Sequence, residues 1–283
     1  MAAIDRPTNG GPGRFMTLPE LALRFLRSVS FAGARVFSIV LLAALWEALA
    51  RSGVVTHFQL PALSEVIERI WSDGVSGDLW INTGLTLYRA MVGFAIAAAG
   101  GIVLGMAMSR LALARWFFDP IISVGFPMPK IAFLPVVILW LGVFDISKIT
   151  MIVFDAIFPV VAATVIAIQG VERELIWSAR NMGANERELL WQIVLPAALP
   201  QIMTGLQVAL PISLIVAVVT EMLMGGYGLG GAMITASRFA NSTGVFAGIV
   251  EIAIVGYALV KAMALIRRRL LIWHQEANAP TTV

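Results

Sequence analysis

The chain has no cysteine, which excludes disulfides, a thiolate metal site and a cysteine nucleophile. Histidine is nearly absent. His57 and His274 lie far apart in sequence, and neither has a companion at metal-ligand spacing. Charge is scarce as well: charged residues make up 13% of the 283 positions against 59% hydrophobic ones, and the mean hydropathy is +0.87. A soluble globular surface needs more charge than that, so most of this surface must face lipid. No G-x-x-x-x-G-K-S/T stretch occurs, so the chain has no ATP site of its own. Gly225 to Gly231 reads GGYGLGG, but no Gly-Lys-Ser/Thr follows and no strand precedes it. A flexible outer loop or a tight re-entrant turn fits it better. No Ser/His/Asp set, metal cluster or paired carboxylates at helical spacing supports catalysis, and no bound cofactor is expected. Met1 to Glu20 holds no apolar core followed by a small-residue cleavage site, so the first membrane helix is expected to be its own insertion signal.

What the chain does have is a series of long apolar runs. Residues 1–33 read as a Gly/Pro-rich tail followed by an amphipathic surface helix over Leu21–Phe31, with Arg24 and Arg27. The first span is expected at about Ala34–Ala50, with Glu47 near its outer end. Arg51–Asn82 is a polar outer segment carrying one short amphipathic helix: Leu63, Val66, Ile67 and Ile70 share a face. The second span, Leu85–Met108, is rich in glycine and alanine, which let membrane helices approach closely. The third, Phe117–Val143, contains Pro120, Pro127, Pro129 and Pro135 and must be broken or kinked. Irregular backbone at membrane depth survives only inside protein or beside an aqueous cavity. Lys130 within that break is either a pathway residue or a lysine capping freed carbonyls.

Asp145–Lys148 reads as an outer turn, and the fourth span, Ile149–Val171, holds Asp155 and Pro159. Asp155 is either a pathway carboxylate or a helix-packing hydrogen-bond partner. Span five, Leu199–Thr220, carries no charge; Pro211 is expected to bend it and Glu221 to end it at the outer surface. Span six, Val245–Ile266, has Glu251 and Lys261 near its ends, each able to reach an interface, and Arg267–Arg269 stop transfer. With both termini inside, all twenty Lys and Arg but Arg51, Arg69, Arg89, Lys130, Lys148 and Arg238 are cytoplasmic. The high pI therefore reports membrane topology and not a nucleic-acid partner.

Between spans four and five lies the one long charge-rich interval of the second half, residues 172–198. It reads as two short helices around a break. The first runs from Glu172 to Met182 and Gly183 stops it. Asn185 caps the second, with Glu188 three residues on completing a capping box. Leu189, Leu190 and Ile193 give it an apolar stripe, and Pro196 and Pro200 are expected to end it.

Gly183, Ile193 and Leu195-Pro196 resemble the docking-loop signature of ABC-importer permeases, the inner-membrane components of binding-protein-dependent transport. Ala179 agrees with that signature, whereas Trp177 stands where the family has glutamate and Ser178 where it has alanine. A second run, Leu60, Pro61, Ser64, Glu65 and Val66, is similar to the nitrate/sulfonate/taurine branch, and PMPKIAFLPVVILWLG around Lys130 resembles that branch's third segment. The resemblance covers roughly Leu60 to the C-terminus. It implies an all-α membrane protein with six transmembrane helices in the type I ABC importer permease fold. Its parts would be the amino-terminal tail and surface helix (1–33), a permease domain over 34–270, and a cytoplasmic tail over 271–283.

The same resemblance implies a multi-pass protein of the bacterial inner membrane and the partners of such an importer. These are two ATPase subunits using ATP and Mg, a second permease copy making a homodimer, and an extracytoplasmic substrate-binding protein. Trp177, Ser178, Ala179, Gly183, Ala184, Asn185, Ile193, Leu195 and Pro196 would form the ATPase-docking site. Lys130, Asp155, Pro127, Pro129, Pro211 and Glu221 are the candidates for the translocation pathway. The solute would be a small anion such as a sulfonate, taurine or nitrate, and ATP would rock spans two to five between inward-open and outward-open states. The alternative reading is an ATP-independent secondary transporter or channel.

Overall fold

The computed structural model describes residues 37–272. The expected amino-terminal tail and surface helix, the start of the first span, and the carboxy-terminal tail beyond 272 lie outside those residues. Every regular element among the described residues is a helix. The chain divides into two compact units with the boundary at Ser64.

In the first unit, α1 (37–51) is followed by a loop that folds back on it. Trp46 Nε1 donates to the Pro61 carbonyl at 2.9 Å, and Glu47 accepts from Arg51 (2.6 Å) and from the Ser64 hydroxyl (2.9 Å) and backbone N–H (3.2 Å). Pro61 and Ser64 of the Leu-Pro-x-x-Ser run thus fasten the loop to the end of α1.

The second unit begins within α2 (Leu63–Ser76). Its central layer is made of α3 (Asp78–Arg110), α6 (Asp145–Gln169) and α9 (Leu195–Met224), which pack against one another. Gly93, Ala97, Gly101 and Gly105 recur every four residues and so line one side of α3, all buried. Across from them, Ile152, Val160 and Thr164 of α6 sit so close that a Cβ built on Gly101 would lie 2.7 Å from the Val160 Cβ. With no hydrophobic force to drive helices together in lipid, such close packing is what holds them. Ala90, Met151, Ile152, Leu214 and Ala217 form the middle of the core.

Between α3 and α6 runs the broken segment. α4 (Ala112–Gly125) is bent by 98°, at residues 126–129, from a second arm in which a 3-10 turn, Lys130–Phe133, runs into α5 (Leu134–Leu141). Pro127 and Pro129 remove two backbone donors and forbid a continuous helix there, while Pro135 sits harmlessly in the first turn of α5. After α6 come α7 (Arg173–Asn181), the single turn α8 (Glu186–Glu188), and a π-turn over Leu189–Val194 that leads into α9. α10 (Leu229–Arg238) and α11 (Ser242–Leu270) close the unit, both packed on α9. Among the described residues four helices are long and apolar enough to cross a membrane, or five if α4 and α5 make one span.

The structure corrects several expectations. Pro196 and Pro200 do not end a helix: the backbone stays helical from Glu186 to Met224. The π-turn widens the helix just before the prolines, with the Leu195 N–H donating to Leu190 O, and places Pro196 in the first turn of α9 where no N–H is needed. α9 continues through Pro211, which stands inside the helix where the sequence placed it. Asp145–Lys148 is not a turn but the first turn of α6, begun by the Ser147 N–H and hydroxyl donating to Phe144 O and Gly142 O. Glu221 does not reach a surface but is fully buried; Glu251 is buried except for the edge it presents to a cavity. α10 was not expected at all.

Candidate functional site

The charge-rich stretch between α6 and α9 folds as two helices with an ordered break. α7 is C-capped by Met182, and Gly183 adopts φ +90°, the left-handed region that favours glycine. The Gly183 N–H donates to Arg180 O and the Ala184 N–H to Ala179 O, both at 3.0 Å, the paired bonds of a Schellman stop. Asn185 then caps α8. Its side chain accepts from the Arg187 and Glu188 N–H groups while Glu188 accepts from the Asn185 N–H, the reciprocal capping box that the sequence pattern predicts.

Two salt bridges add a support that the sequence did not reveal: Glu186 pairs with Arg180 at 2.8 Å and with Arg110, at the end of α3, at 3.4 Å. Underneath, Ala179, Leu189, Val194 and Ala198 join Ala167, Ile168 and Val171 in one apolar cluster, with Ala184, Ile193 and Leu195 packed against it. Ser178, Asn185 and Pro196 face outward. Leu175, Trp177, Met182 and Trp191 are exposed, with Met182 80% exposed. These large apolar side chains are thus offered outward from an element fixed from behind.

Two ion pairs with buried members lie elsewhere in the unit. Lys130, expected as a lone lysine in the broken segment, caps the freed Phe126 carbonyl at 3.0 Å and also pairs with Asp155 Oδ1 at 3.1 Å. Its ammonium stands 4.7 Å from the centre of the Phe158 ring. The two separately chosen residues are therefore one site that ties the break to α6. Lys130 is buried and Asp155 keeps partial exposure, so the pair offers a carboxylate edge rather than a free lysine. Pro127 and Pro129 shape this break, whereas Pro211 lies in α9 away from it in sequence.

Glu221 is fully buried, and its carboxylate is enclosed by donors. Arg89 Nη1 approaches Oε1 at 2.6 Å, the Thr86 hydroxyl donates to Oε2 at 2.8 Å, and the Gly230 N–H to Oε2 at 3.1 Å. Arg89 also donates to Asp145 at 2.8 Å and to the Tyr227 carbonyl at 2.6 Å. Asn82 accepts from the Gly228 N–H and Lys148 donates to Gly225 O, so the glycine-rich turn is bonded at both ends. The glycines are needed for space: a Cβ on Gly231 would collide with Gly226 O. Residues 225–228 of GGYGLGG form the bonded turn, and Leu229, Gly230 and Gly231 already belong to α10. Arg89 and Thr86 were missed as partners. The available signal was an arginine inside an apolar helix, which requires an acid somewhere in the bundle.

Set beside known proteins, residues 97–272 match the family described as the binding-protein-dependent transport system inner membrane component. The chain is 30% identical over 246 residues to the taurine transport system permease protein of Escherichia coli K12, covering 85% of this chain and 90% of that one. It is 31% identical over 230 residues to a putative aliphatic sulfonates transport permease of Bacillus subtilis, covering 81% and 83%. It is 30% identical over 236 residues to the riboflavin transport system permease of Chloroflexus aurantiacus, covering 83% and 88%. Among solved structures, a chain of the inward-facing methionine ABC transporter MetNI superposes with a TM-score of 0.56 at 20% identity, over 69% of this chain and 95% of that one.

Proposed function

Because the chain belongs to the family of binding-protein-dependent transport system inner membrane components, we propose that it uses the segment around Gly183 to receive a separate ATPase subunit. The protein is the permease subunit of an ABC importer. The observation that carries the docking assignment is the build of residues 172–198: a surface of Trp177, Met182 and Trp191 held rigid from behind by the Schellman stop, the capping box and the Glu186 salt bridges. Trp177 occupies the exposed position where the family signature has glutamate, so contact there is by aromatic packing instead of an ion pair. Ser178, Ala184, Asn185, Ile193, Leu195 and Pro196 belong to the same docking unit, with Ala179 buried beneath it.

Six spans follow if α1 begins the bundle and α4 with α5 counts as one. Both termini and the docking segment then face the cytoplasm, with the basic residues concentrated on that side. Two such chains and two ATPases would make the transporter, and an extracytoplasmic binding protein would deliver the solute. The solute class we favour is a small anion of the sulfonate, taurine or nitrate kind, after the taurine and sulfonate relatives. A riboflavin permease is about as similar, which puts solute choice mainly with the binding protein. Lys130 and Asp155 are the pathway residues of this reading, and Glu221 holds the end of α9 in place.

The test is co-purification. The tagged chain, taken from native membranes in mild detergent, is expected to bring an ATPase with it in stoichiometric amount, and Gly183→Val is expected to insert but lose that partner. A chain that emerges alone, with uptake that survives ATP depletion and collapses with the ion gradient, would replace the importer reading by the ATP-independent one.

A further inference from the structure

A cavity of about 520 Å³ opens at the Asp78 end of α3, on the end of that 33-residue helix opposite the docking segment. Its size falls in the range of small-molecule sites. Three carboxylates line it, Asp73, Asp78 and Glu251, against one cation, Arg69. Arg69 is already committed: Asp73 accepts from its Nε at 2.9 Å, and that bond raises the guanidinium pKa above its ordinary value. Asp78 and Glu251 are therefore left as carboxyl groups with no cation of their own.

Asp78 is exposed at the rim and accepts only from the Ser76 hydroxyl, at 3.1 Å. Glu251 is the decisive residue. It is 8% exposed, lines the cavity, and its Oε1 is buried without a hydrogen-bond partner. A buried carboxyl oxygen left without a donor is costly, and a cation held in the cavity beside this side chain would offset part of that cost. Tyr227 and Phe239 also line it. Carboxylates beside aromatic faces are the chemistry that receives organic ammonium groups. A metal ion fits less well, because no group of three or more His, Cys, Asp or Glu among the described residues stands close enough to hold one.

We infer that this cavity is a binding site for a small organic ammonium ion, with Glu251 and Asp78 as its counter-charges and Tyr227 and Phe239 as its aromatic lining. The ammonium belongs either to the transported solute, which would make that solute a zwitterion, or to a separate amine. Binding itself does not depend on the docking assignment.

The experiment measures equilibrium binding to the full chain in lipid nanodiscs, with any co-purifying ATPase retained. The probes are choline, its neutral isostere 3,3-dimethyl-1-butanol, and calcium ion alone. Choline is expected to bind and the isostere to bind at least about tenfold more weakly, a difference of about 1.4 kcal/mol. Glu251→Gln, which keeps the shape and removes the charge, is expected to weaken choline by a similar factor. Asp78→Asn at the exposed rim should weaken it severalfold without touching the core. Equal binding of choline and the isostere, unchanged choline affinity in both variants, or binding of calcium only would each overturn the site. Competition by 2-aminoethanesulfonate but not by ethanesulfonate would make the ammonium the solute's own; no competition by either would make it a separate amine. ATPase co-purification is read in the same samples, so loss of the docking reading and loss of this site are scored separately.

Discussion

At the scale of single residues, the groups with the most at stake are the buried charges. Glu221→Ala would leave Arg89 buried with only Asp145, itself about half exposed, as its acid. Removing one member of a buried pair costs about 3–5 kcal/mol, so a clear fall in thermal stability of the detergent-solubilised protein is expected. An Arg89→Met, Glu221→Met double variant should fall by less than the sum of the two single changes, since neither charge is then stranded. Additive losses would mean that the two groups do not share one interaction. Asp155→Asn is expected to lower uptake while the ATPase still co-purifies, and full uptake would remove the Lys130 pair from the pathway. These residues also show what the sequence could and could not convey. Asn185 and Glu188 were legible as a capping box because three positions of local spacing define one. Glu221 and Arg89 are 132 positions apart, and no local pattern links them. An acid at the end of an apolar run reads as an exposed terminus until the fold supplies the arginine.

At the scale of elements, the Gly183 break can be separated from simple lack of room. A Cβ at Gly183 would meet nothing within 4 Å, so the constraint there is its φ of +90° and not space. Gly183→Asn, which tolerates the left-handed region, is expected to keep the ATPase bound. Gly183→Val should strain the stop by about 1–3 kcal/mol and release it. Equal behaviour of the two variants would show that the conformation is irrelevant to docking. The opposite case is α3. Gly101→Leu would drive a side chain into Val160, and little folded protein should be recovered on size-exclusion chromatography. A Cβ at Gly84 on the same helix meets nothing within 4 Å, so Gly84→Ala should be recovered normally. The close packing of α3 was legible from its glycines and alanines. The π-turn before α9 was not, because prolines read as stops unless a widened turn positions them. α10 was hidden for a similar reason: its glycine-rich entry reads as loop, and only the buried hydrogen bonds to Asn82, Thr86 and Glu221 make that entry part of the core.

At the scale of the whole molecule, the lack of cysteine makes sidedness measurable, since any introduced thiol is unique. Val75→Cys in α2 and Ser178→Cys in α7 both alter exposed side chains. In intact cells a membrane-impermeant thiol reagent is expected to label the first and to reach the second only after permeabilisation. Labelling of both from one side would overturn the proposed orientation. The long apolar helices were visible from composition, because lipid demands runs that no soluble surface would carry. How the broken segment turns, by contrast, depends on Lys130 finding Asp155 across the bundle. The seam between α3 and α6 constrains motion on this largest scale. Both helices present their interlocking positions every fourth residue, Gly93 to Gly105 on one side and Ile152 to Thr164 on the other. The next offset at which the teeth could mesh is one full step away, about 6 Å along the axis. Anything between would force side chains into backbone, and packed interiors do not yield gradually. The two helices therefore cannot creep past each other by small amounts. Any opening to one face of the membrane or the other has to carry α3 and α6 together, as a single engaged piece of gearing.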